Sequence, residues 1–146
     1  MVDIDITYDG ELHCSASHRP SSATLATDAP LDNHGRGQSF SPTDLVATAL
    51  GTCMATVMGI LGRSKGYVID GLEIHVRKGM TSTPPRRIAR LEVKVQAPAA
   101  VGSRLDAPAR ALLEEAALHC PVRLSLLDAI EVPVHFEWQG AELTAS

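Results

Sequence analysis

Two cysteines far apart in the sequence are the residues whose type best supports catalysis. Cys53 lies near the middle of a long apolar stretch, and Cys120 lies in His119-Cys120-Pro121, where a proline interrupts a helical pattern. A cysteine is nucleophilic as the thiolate, which a nearby cation stabilises. Two such thiols can serve as a peroxide-reacting and resolving pair if the fold brings them together, which sequence spacing alone does not show. The alternative for Cys53 is a small buried apolar residue, a common role for free cysteine.

Other chemistries have weaker support. Cys14 alternates with Leu12 and Ala16 on a predicted strand and is interpreted as core filling. A metal site would have to combine His13 and Cys14 with His119 and Cys120, but neighbouring residues on a strand point to opposite faces and no pair has zinc-like spacing. A cysteine–histidine hydrolase lacks a pattern for an oxyanion hole. The sequence contains no phosphate-binding glycine-rich loop and no dinucleotide-binding fingerprint.

The element that must position Cys53 is a helix predicted over residues 41–66. Ser41 is a good N-cap, Pro42 suits the first helical position, and Asp44 occupies the capping-box position three residues after the cap. Gly62 and Gly66 supply stop signals at the other end. The sequence therefore predicts one long helix that carries Cys53 near its middle.

Apolar residues cover most of the circumference of this helix, which predicts burial on all sides. A membrane span is disfavoured because the uncharged run from Leu45 to Gly62 barely reaches the required length and contains three threonines and three glycines. One small sheet covers only one face of such a helix. We therefore expect a homodimer in which a second copy covers the other face.

The remaining elements are mainly strands. Alternating apolar residues and turn signals predict three strands before the long helix, at residues 2–8, 12–18 and 23–27. Two strands at 67–78 and 87–97 follow, then a helix at 105–119, a helical turn at 122–127 and a last strand at 131–138. This order, βββ-α-ββ-α-β, predicts a single α+β domain over residues 1–146 with largely antiparallel sheets packed around the long helix. The basic tip between the second pair of strands, with Arg86, Arg87 and Arg90, is interpreted as a solvated hairpin end.

Composition limits the partners and the compartment. The net charge of −4 gives no general attraction to nucleic acid or to an anionic membrane. Three cysteines without short spacings do not form a disulfide framework, and the acidic, alternating start resembles neither a signal peptide nor a transit peptide. The expected location is the cytoplasm.

Three motifs together resemble one known family. They are Ser41-Pro42-Thr43-Asp44-Leu45, Ala49-Leu50-Gly51-Thr52-Cys53 and His119-Cys120-Pro121-Val122. They are similar to those of the OsmC/Ohr family (osmotically inducible protein C and organic hydroperoxide resistance proteins), and the element order matches over essentially the whole chain. The resemblance implies an α+β OsmC-like fold and an intertwined homodimer with two active sites at the subunit interface.

The resemblance also implies a function. The family reduces organic hydroperoxides with cysteine thiols, without a metal or bound cofactor. Carried over to this sequence, Cys53 would be the peroxidatic thiolate and Cys120 the resolving thiol, with a dithiol reductant of the lipoyl or thioredoxin type. The family also uses an arginine to hold the thiolate. Arg36, close to the helix entry, is preferred here, and Arg19 is the other candidate.

The sequence departs from the best-known members at the helix start. Organic hydroperoxide resistance proteins carry Asn-Pro-Glu-Gln there, and the glutamate pairs with the catalytic arginine. Here Thr43 takes the place of that glutamate, and the acid is the next residue, Asp44. Asp44 is kept as a candidate binding residue. On a regular helix, however, it lies about 13 Å along the axis from Cys53. This start resembles the YhfA-like branch. The departure favours one alternative function, a dimeric OsmC-like protein that binds a small ligand without significant peroxidase turnover.

Overall fold

The computed structural model describes residues 1–141 of the chain. It contains two compact units, the first formed by Met1–Val46 and the second beginning at Ala47. The boundary falls inside the long helix. The assignment of the whole chain to a single domain stays a prediction.

The described elements follow the predicted order. The first unit contains β1 (Ile4–Gly10), β2 (His13–His18), β3 (Ala23–Asp28), a 3₁₀ turn (Leu31–Asn33) and the first residues of α1 (Pro42–Lys65). The second contains the rest of α1, then β4 (Glu73–Met80), β5 (Ile88–Ala97), α2 (Ala99–Gly102), α3 (Ala107–Leu118), α4 (Pro121–Leu124) and β6 (Val134–Trp138). The α+β class and the βββ-α-ββ-α-β order are confirmed, with α2 as an unpredicted addition.

In the first unit, β1, β2 and β3 form an antiparallel sheet in sequence order. Ile6 lies opposite Ala16, which lies opposite Leu25, so one face of the sheet is apolar across all three strands. The other face carries hydroxyl groups, among them those of Thr7 and Ser15. The apolar face is exposed, since Ile6 is 69% and Leu25 is 48% exposed to solvent.

The loop between β3 and α1 is held by Asp28. Its buried carboxylate accepts a hydrogen bond from the Gln38 backbone N–H (3.0 Å) and contacts Nδ1 of His13 at 2.5 Å. The His13 hydrogen bond, and to a lesser degree that of Gln38, lowers the pKa of Asp28 despite its burial. The loop that carries Arg36 is therefore pinned to the sheet at one carboxylate.

Helix α1 begins with the predicted capping box. The Ser41 N–H donates to Oδ2 of Asp44 (2.8 Å), and the Asp44 N–H donates to Oγ of Ser41 (3.2 Å). Each residue satisfies an N–H group that the first turn of a helix leaves unpaired.

Burial of α1 on all sides is wrong for the single chain. Only one face is buried, formed by Ala47, Leu50, Gly51, Met54, Met58 and Gly62. The opposite face exposes Thr48, Thr52, Thr56 and Ile60, because one three-stranded sheet cannot surround a helix. By length and composition α1 also meets the requirement for a membrane span, with 33% of its most apolar window buried, so the length argument above does not hold. This evidence is weak, because the core helix of a soluble protein passes the same test.

The second sheet has the order β4-β5-β6 and packs against α1. A Cβ atom on Gly51 would lie 3.0 Å from Cγ2 of Val76 and 3.3 Å from Cγ2 of Ile74, so the missing side chain permits close approach of helix and strand. The buried residues Leu91, Val93 and Val95 extend this core along β5. A bulge interrupts the β4–β5 pairing where Gly79 faces Arg90 and Met80 faces Ile88, so Ala89 has no partner on β4.

The antiparallel prediction fails for the last strand. β4 and β5 are antiparallel, but β6 pairs with β5 in parallel, with Val93 opposite Val134. The helices between β5 and β6 return the chain to the starting end of β5, which is the connection that a parallel pair requires. The same crossover carries Cys120.

Candidate functional site

Cys53 lies at the border between the buried and exposed faces of α1. Its side chain is half-buried, with buried Met54 on one side and exposed Thr52 and Thr56 on the other. The hydroxyl of Thr52 donates to the Thr48 carbonyl and that of Thr56 to the Thr52 carbonyl, both at 2.8 Å. Because these two hydroxyls donate to carbonyl groups within the helix, they are already paired beside Cys53.

Cys120 lies where α3 ends and α4 begins. It is fully buried and is the N-cap of α4, with Pro121 in the first turn. Its Sγ accepts a hydrogen bond from the backbone N–H of Arg123 at 3.5 Å. The break at Pro121 therefore fixes the position of the thiol rather than leaving it in a mobile loop.

The fold brings these two thiols together. The Cys53 thiol lies close enough to Cys120 to raise the pKa of that thiol, and all three cysteines of the chain are free thiols. Burial raises the pKa of Cys120, and the neighbouring Cys53 raises it further, while the Arg123 N–H opposes the shift. At neutral pH Cys120 is therefore a protonated thiol beside a second sulfur.

The two predicted arginines lie in the first unit, and each is paired with an acid there. Arg19 forms two hydrogen bonds of 2.7 Å with the Asp5 carboxylate, which raises the pKa of Arg19 and lowers that of Asp5. Arg36 forms an ion pair with Glu11. Both cations are thus held by carboxylates, and their part in activating Cys53 stays a prediction.

Asp44 has a defined structural role in the Ser41 capping box. Its predicted ligand-binding role is untested.

Sequence reasoning missed Arg123. This residue follows Cys120 by three positions, so a helical turn capped by Cys120 brings its N–H to the sulfur. Its Nη1 donates to the Leu118 carbonyl at 3.0 Å, near the end of α3. The Cys-Pro-x-Arg spacing was the signal available in the sequence.

The residues of the alternative metal site have other partners. His13 is paired with Asp28, and Nδ1 of His119 is 2.9 Å from the Glu115 carbonyl. Across residues 1–141, no group of three or more histidine, cysteine, aspartate or glutamate side chains is arranged to hold a metal ion. Cys14 is half-buried on β2, opposite Tyr8 and Thr27.

Comparisons with known proteins identify the family and the fold of this chain. The family model described as OsmC-like protein matches residues 35–135, which include both cysteines. Among solved structures, an osmotic stress induced and detoxification response protein from Psychrobacter arcticus is 36% identical, with a TM-score of 0.85 over 94% of this chain and 96% of that chain.

More distant structures share the fold. An organic hydroperoxide resistance protein OsmC from Legionella pneumophila is 15% identical, with a TM-score of 0.70 over 94% of this chain and 96% of that one. The organic hydroperoxide resistance protein OhrB of Bacillus subtilis is 15% identical, with a TM-score of 0.67 over 94% and 98%. A comparison with curated proteins gave no match. The family match and the 36% identical structure show that the chain belongs to the OsmC-like family; its place in the YhfA-like branch stays a prediction.

Proposed function

We propose that the protein is a thiol peroxidase that reduces organic hydroperoxides through Cys53 and Cys120. The observation that carries the proposal is the proximity of the two thiols, which lie on different helices and 67 residues apart in the sequence. Membership of the OsmC-like family supports it, as do the hydroperoxide resistance proteins among the structures with the same fold.

The proposed chemistry has three balanced steps. The Cys53 thiolate attacks one peroxide oxygen and the O–O bond breaks, which leaves a sulfenic acid on Cys53 and an alkoxide that takes a proton from solvent to become the alcohol. The Cys120 thiol then attacks the sulfenic sulfur, forming a disulfide and releasing water. A dithiol of the lipoyl or thioredoxin type reduces that disulfide by two exchange steps and is itself oxidised to a disulfide.

The environments of the sulfurs support this division of roles. Cys53 lies at the edge of the core, where a peroxide can approach, whereas Cys120 is fully buried. Because the pKa of Cys120 is raised, this thiol stays protonated at neutral pH and is a poor nucleophile for the first step. Its proximity to Cys53 suits it to the second step, in which the attacked sulfur is already nearby.

A cation is also required to stabilise the Cys53 thiolate. We assign this role to Arg36, with Arg19 as the other candidate. Replacement of the activating arginine by methionine should lower the rate of the first step about a hundredfold, as removal of a donor from a charged transition state does. Replacement of the other arginine by methionine is the matched control and should leave this rate unchanged. The two variants are comparable because each removes an arginine that is paired with an exposed acid.

The protein is proposed to act as a homodimer in the cytoplasm. The exposed apolar face of the first sheet and the exposed strip of α1 are surfaces that a second copy would cover. Three free cysteines fit a reducing compartment.

The test is steady-state consumption of an organic hydroperoxide with a dithiol as reductant, with hydrogen peroxide run in parallel. Cys53→Ser should abolish consumption, while Cys120→Ser should allow one turnover that stops at a sulfenic acid detectable with dimedone. Cys14→Ser is the control and should retain full activity. Equal rates for wild-type protein and Cys53→Ser would contradict the proposal and favour the alternative of a small-ligand-binding protein.

A further inference from the structure

A cavity of about 310 Å³ lies beside the last turns of α1, within the second unit, and the proposed reaction does not use it. Both α1 and the segment that follows it contribute to the lining, which includes Gly59, Ile60, Arg63, Tyr67, Ile69 and Asp70. Ligand pockets in proteins span roughly 300 to 1,000 Å³, so this cavity suits a ligand at the small end of the range, of amino-acid size.

Gly59 leaves part of this cavity open. Glycine in the interior of a helix is less stable than alanine, so its presence there usually has a steric reason. Gly51 has such a reason, because an added Cβ atom would lie 3.0 Å from Val76. A Cβ atom on Gly59 would meet no atom within 4 Å. The packing of the chain therefore does not require glycine at position 59, and the missing side chain leaves space in the cavity.

The part of the lining that follows α1 is held by backbone hydrogen bonds. The Tyr67 N–H donates to the Gly62 carbonyl at 2.8 Å, and the Leu72 N–H donates to the Ile69 carbonyl at 3.1 Å. The second bond closes a turn that carries Asp70. These local turns fix the lining residues in place, so the cavity is formed without a ligand, as most ligand sites are.

Two exposed residues of opposite charge, Arg63 and Asp70, line this cavity. Within residues 1–141, neither side chain forms an ion pair or a hydrogen bond. Beside these charges the lining is aliphatic, since it includes the buried Ile69 and also Ile60, which is 64% exposed. The cavity therefore offers an accessible guanidinium, an accessible carboxylate and an apolar surface to an external molecule.

We propose that this cavity binds a small zwitterion of amino-acid size. The ligand carboxylate accepts hydrogen bonds from Arg63, and the ligand ammonium donates to Asp70. The aliphatic part of the ligand lies against Ile60, in the space left by Gly59. A ligand with one charge is attracted by one of the two residues and repelled by the other, whereas a zwitterion is attracted by both. Binding involves neither thiol, so it is independent of the proposed peroxidase function.

A second copy of the chain is the other possible occupant, because Ile60 belongs to the exposed strip of α1 that the proposed dimer would cover. A protein surface that filled the cavity would have to place an acid against Arg63 and a base against Asp70. A zwitterion brings both charges in one molecule that fits the volume. The two occupants exclude each other, since a filled cavity leaves no room for a ligand.

Binding is measured by NMR on the ¹⁵N-labelled full chain, with L-valine as the probe. Isobutylamine and 3-methylbutanoate are its matched analogues, because they keep the aliphatic group and lack the carboxylate and the ammonium, respectively. The amide resonances of Gly59 and Asp70 should move on addition of L-valine. Each analogue should bind about tenfold more weakly, because it loses one hydrogen-bonded charge pair.

Two variants separate the roles of the charges. Arg63→Met should bind L-valine no better than it binds isobutylamine, and Asp70→Asn should bind L-valine no better than it binds 3-methylbutanoate. Lys65→Met is the matched control, because it removes a neighbouring exposed cation that does not line the cavity. Its affinity for L-valine should stay within about twofold of that of wild type.

Gly59→Leu tests the space itself. The added side chain enters the cavity without a clash at Cβ, so the variant should fold and should bind L-valine about tenfold more weakly or worse. Should this variant fail to fold, the two charge variants still decide.

Unmoved Gly59 and Asp70 resonances at high L-valine concentration would overturn the proposal and leave a second copy as the occupant. Equal affinity for L-valine and both analogues, or wild-type affinity in Arg63→Met and Asp70→Asn, would also overturn it. No peroxide is present in these measurements, so failure of the zwitterion site leaves the peroxidase proposal intact, and failure of the peroxidase proposal leaves the site to be decided by NMR.

Discussion

At the scale of residues, the protein places two thiols close together and gives them different environments. Cys120 is fully buried and has a raised pKa, whereas Cys53 lies at the edge of the core. The packing that buries Cys120 also places its thiol near Cys53. The resolving role proposed for Cys120 requires only that the thiol reach the oxidised sulfur, so burial is compatible with it.

The raised pKa of Cys120 predicts a pH dependence of stability. The folded state keeps the thiol proton at a pH where the unfolded chain, with a thiol pKa near the ordinary value of 9.0, has lost it. Because the unfolded state then binds fewer protons, the free energy of unfolding should fall as pH rises past that value. Urea unfolding of the reduced protein between pH 7 and about 10 measures this loss. Cys120→Ser should show a smaller loss over that range, and an identical slope in both proteins would contradict the pKa assignment.

At the scale of elements, local signals in the sequence determine where most elements begin. The Ser41–Asp44 capping box is a local pattern and starts α1 as predicted. The strand predicted at Tyr67 begins only at Glu73, because the Leu72 N–H donates to the Ile69 carbonyl in a turn and Gly71 has a φ of +92°. The turn and its glycine therefore determine the structure before Glu73, although the β propensity of the sequence there is high.

The loop before α1 provides a prediction at this scale. Asp28→Asn should make residues 29–40 less well held against the sheet. The pKa of Asp28 is lowered because His13 and Gln38 stabilise its carboxylate in the folded state, and the variant lacks this carboxylate. In wild type this stabilisation is present above the ordinary carboxyl pKa of 3.8 and is lost as pH falls through the lower folded value. Hydrogen exchange at neutral pH should show faster exchange at the Gln38 amide in the variant. Unchanged exchange there would contradict the role of Asp28, and the Asp44 amide in the capping box is the internal control.

At the scale of the whole molecule, the pairing of segments that are distant in the chain could not be predicted from the sequence alone. The parallel pairing of β6 with β5 depends on where α3 and α4 return the chain, which no local pattern specifies. The proximity of Cys53 and Cys120 depends on the same crossover, so the motifs could name the two residues but not show that they meet. Arg123 is different, because its hydrogen bonds to Cys120 and Leu118 are local and the Cys-Pro-x-Arg spacing could have indicated the first of them.

The proposed dimer gives a prediction at this scale. Ile6 is 69% exposed on the apolar face of the first sheet, and Thr7 lies next to it on the opposite face. Ile6→Lys should shift the protein from dimer to monomer in sedimentation equilibrium, because a charge in an apolar interface is costly. Thr7→Lys should remain a dimer. A dimeric Ile6→Lys variant, or a monomeric wild-type protein, would contradict the use of this face.

The central claim is that Cys53 and Cys120 act as one redox pair, and the most direct measurement is the intact mass and peptide map after one equivalent of an organic hydroperoxide. The account predicts loss of two hydrogen atoms, a Cys53–Cys120 disulfide in the peptide map, and full reversal by a dithiol. Cys14 should remain a free thiol throughout. Unchanged mass with three free thiols, or a disulfide that includes Cys14, would contradict the account.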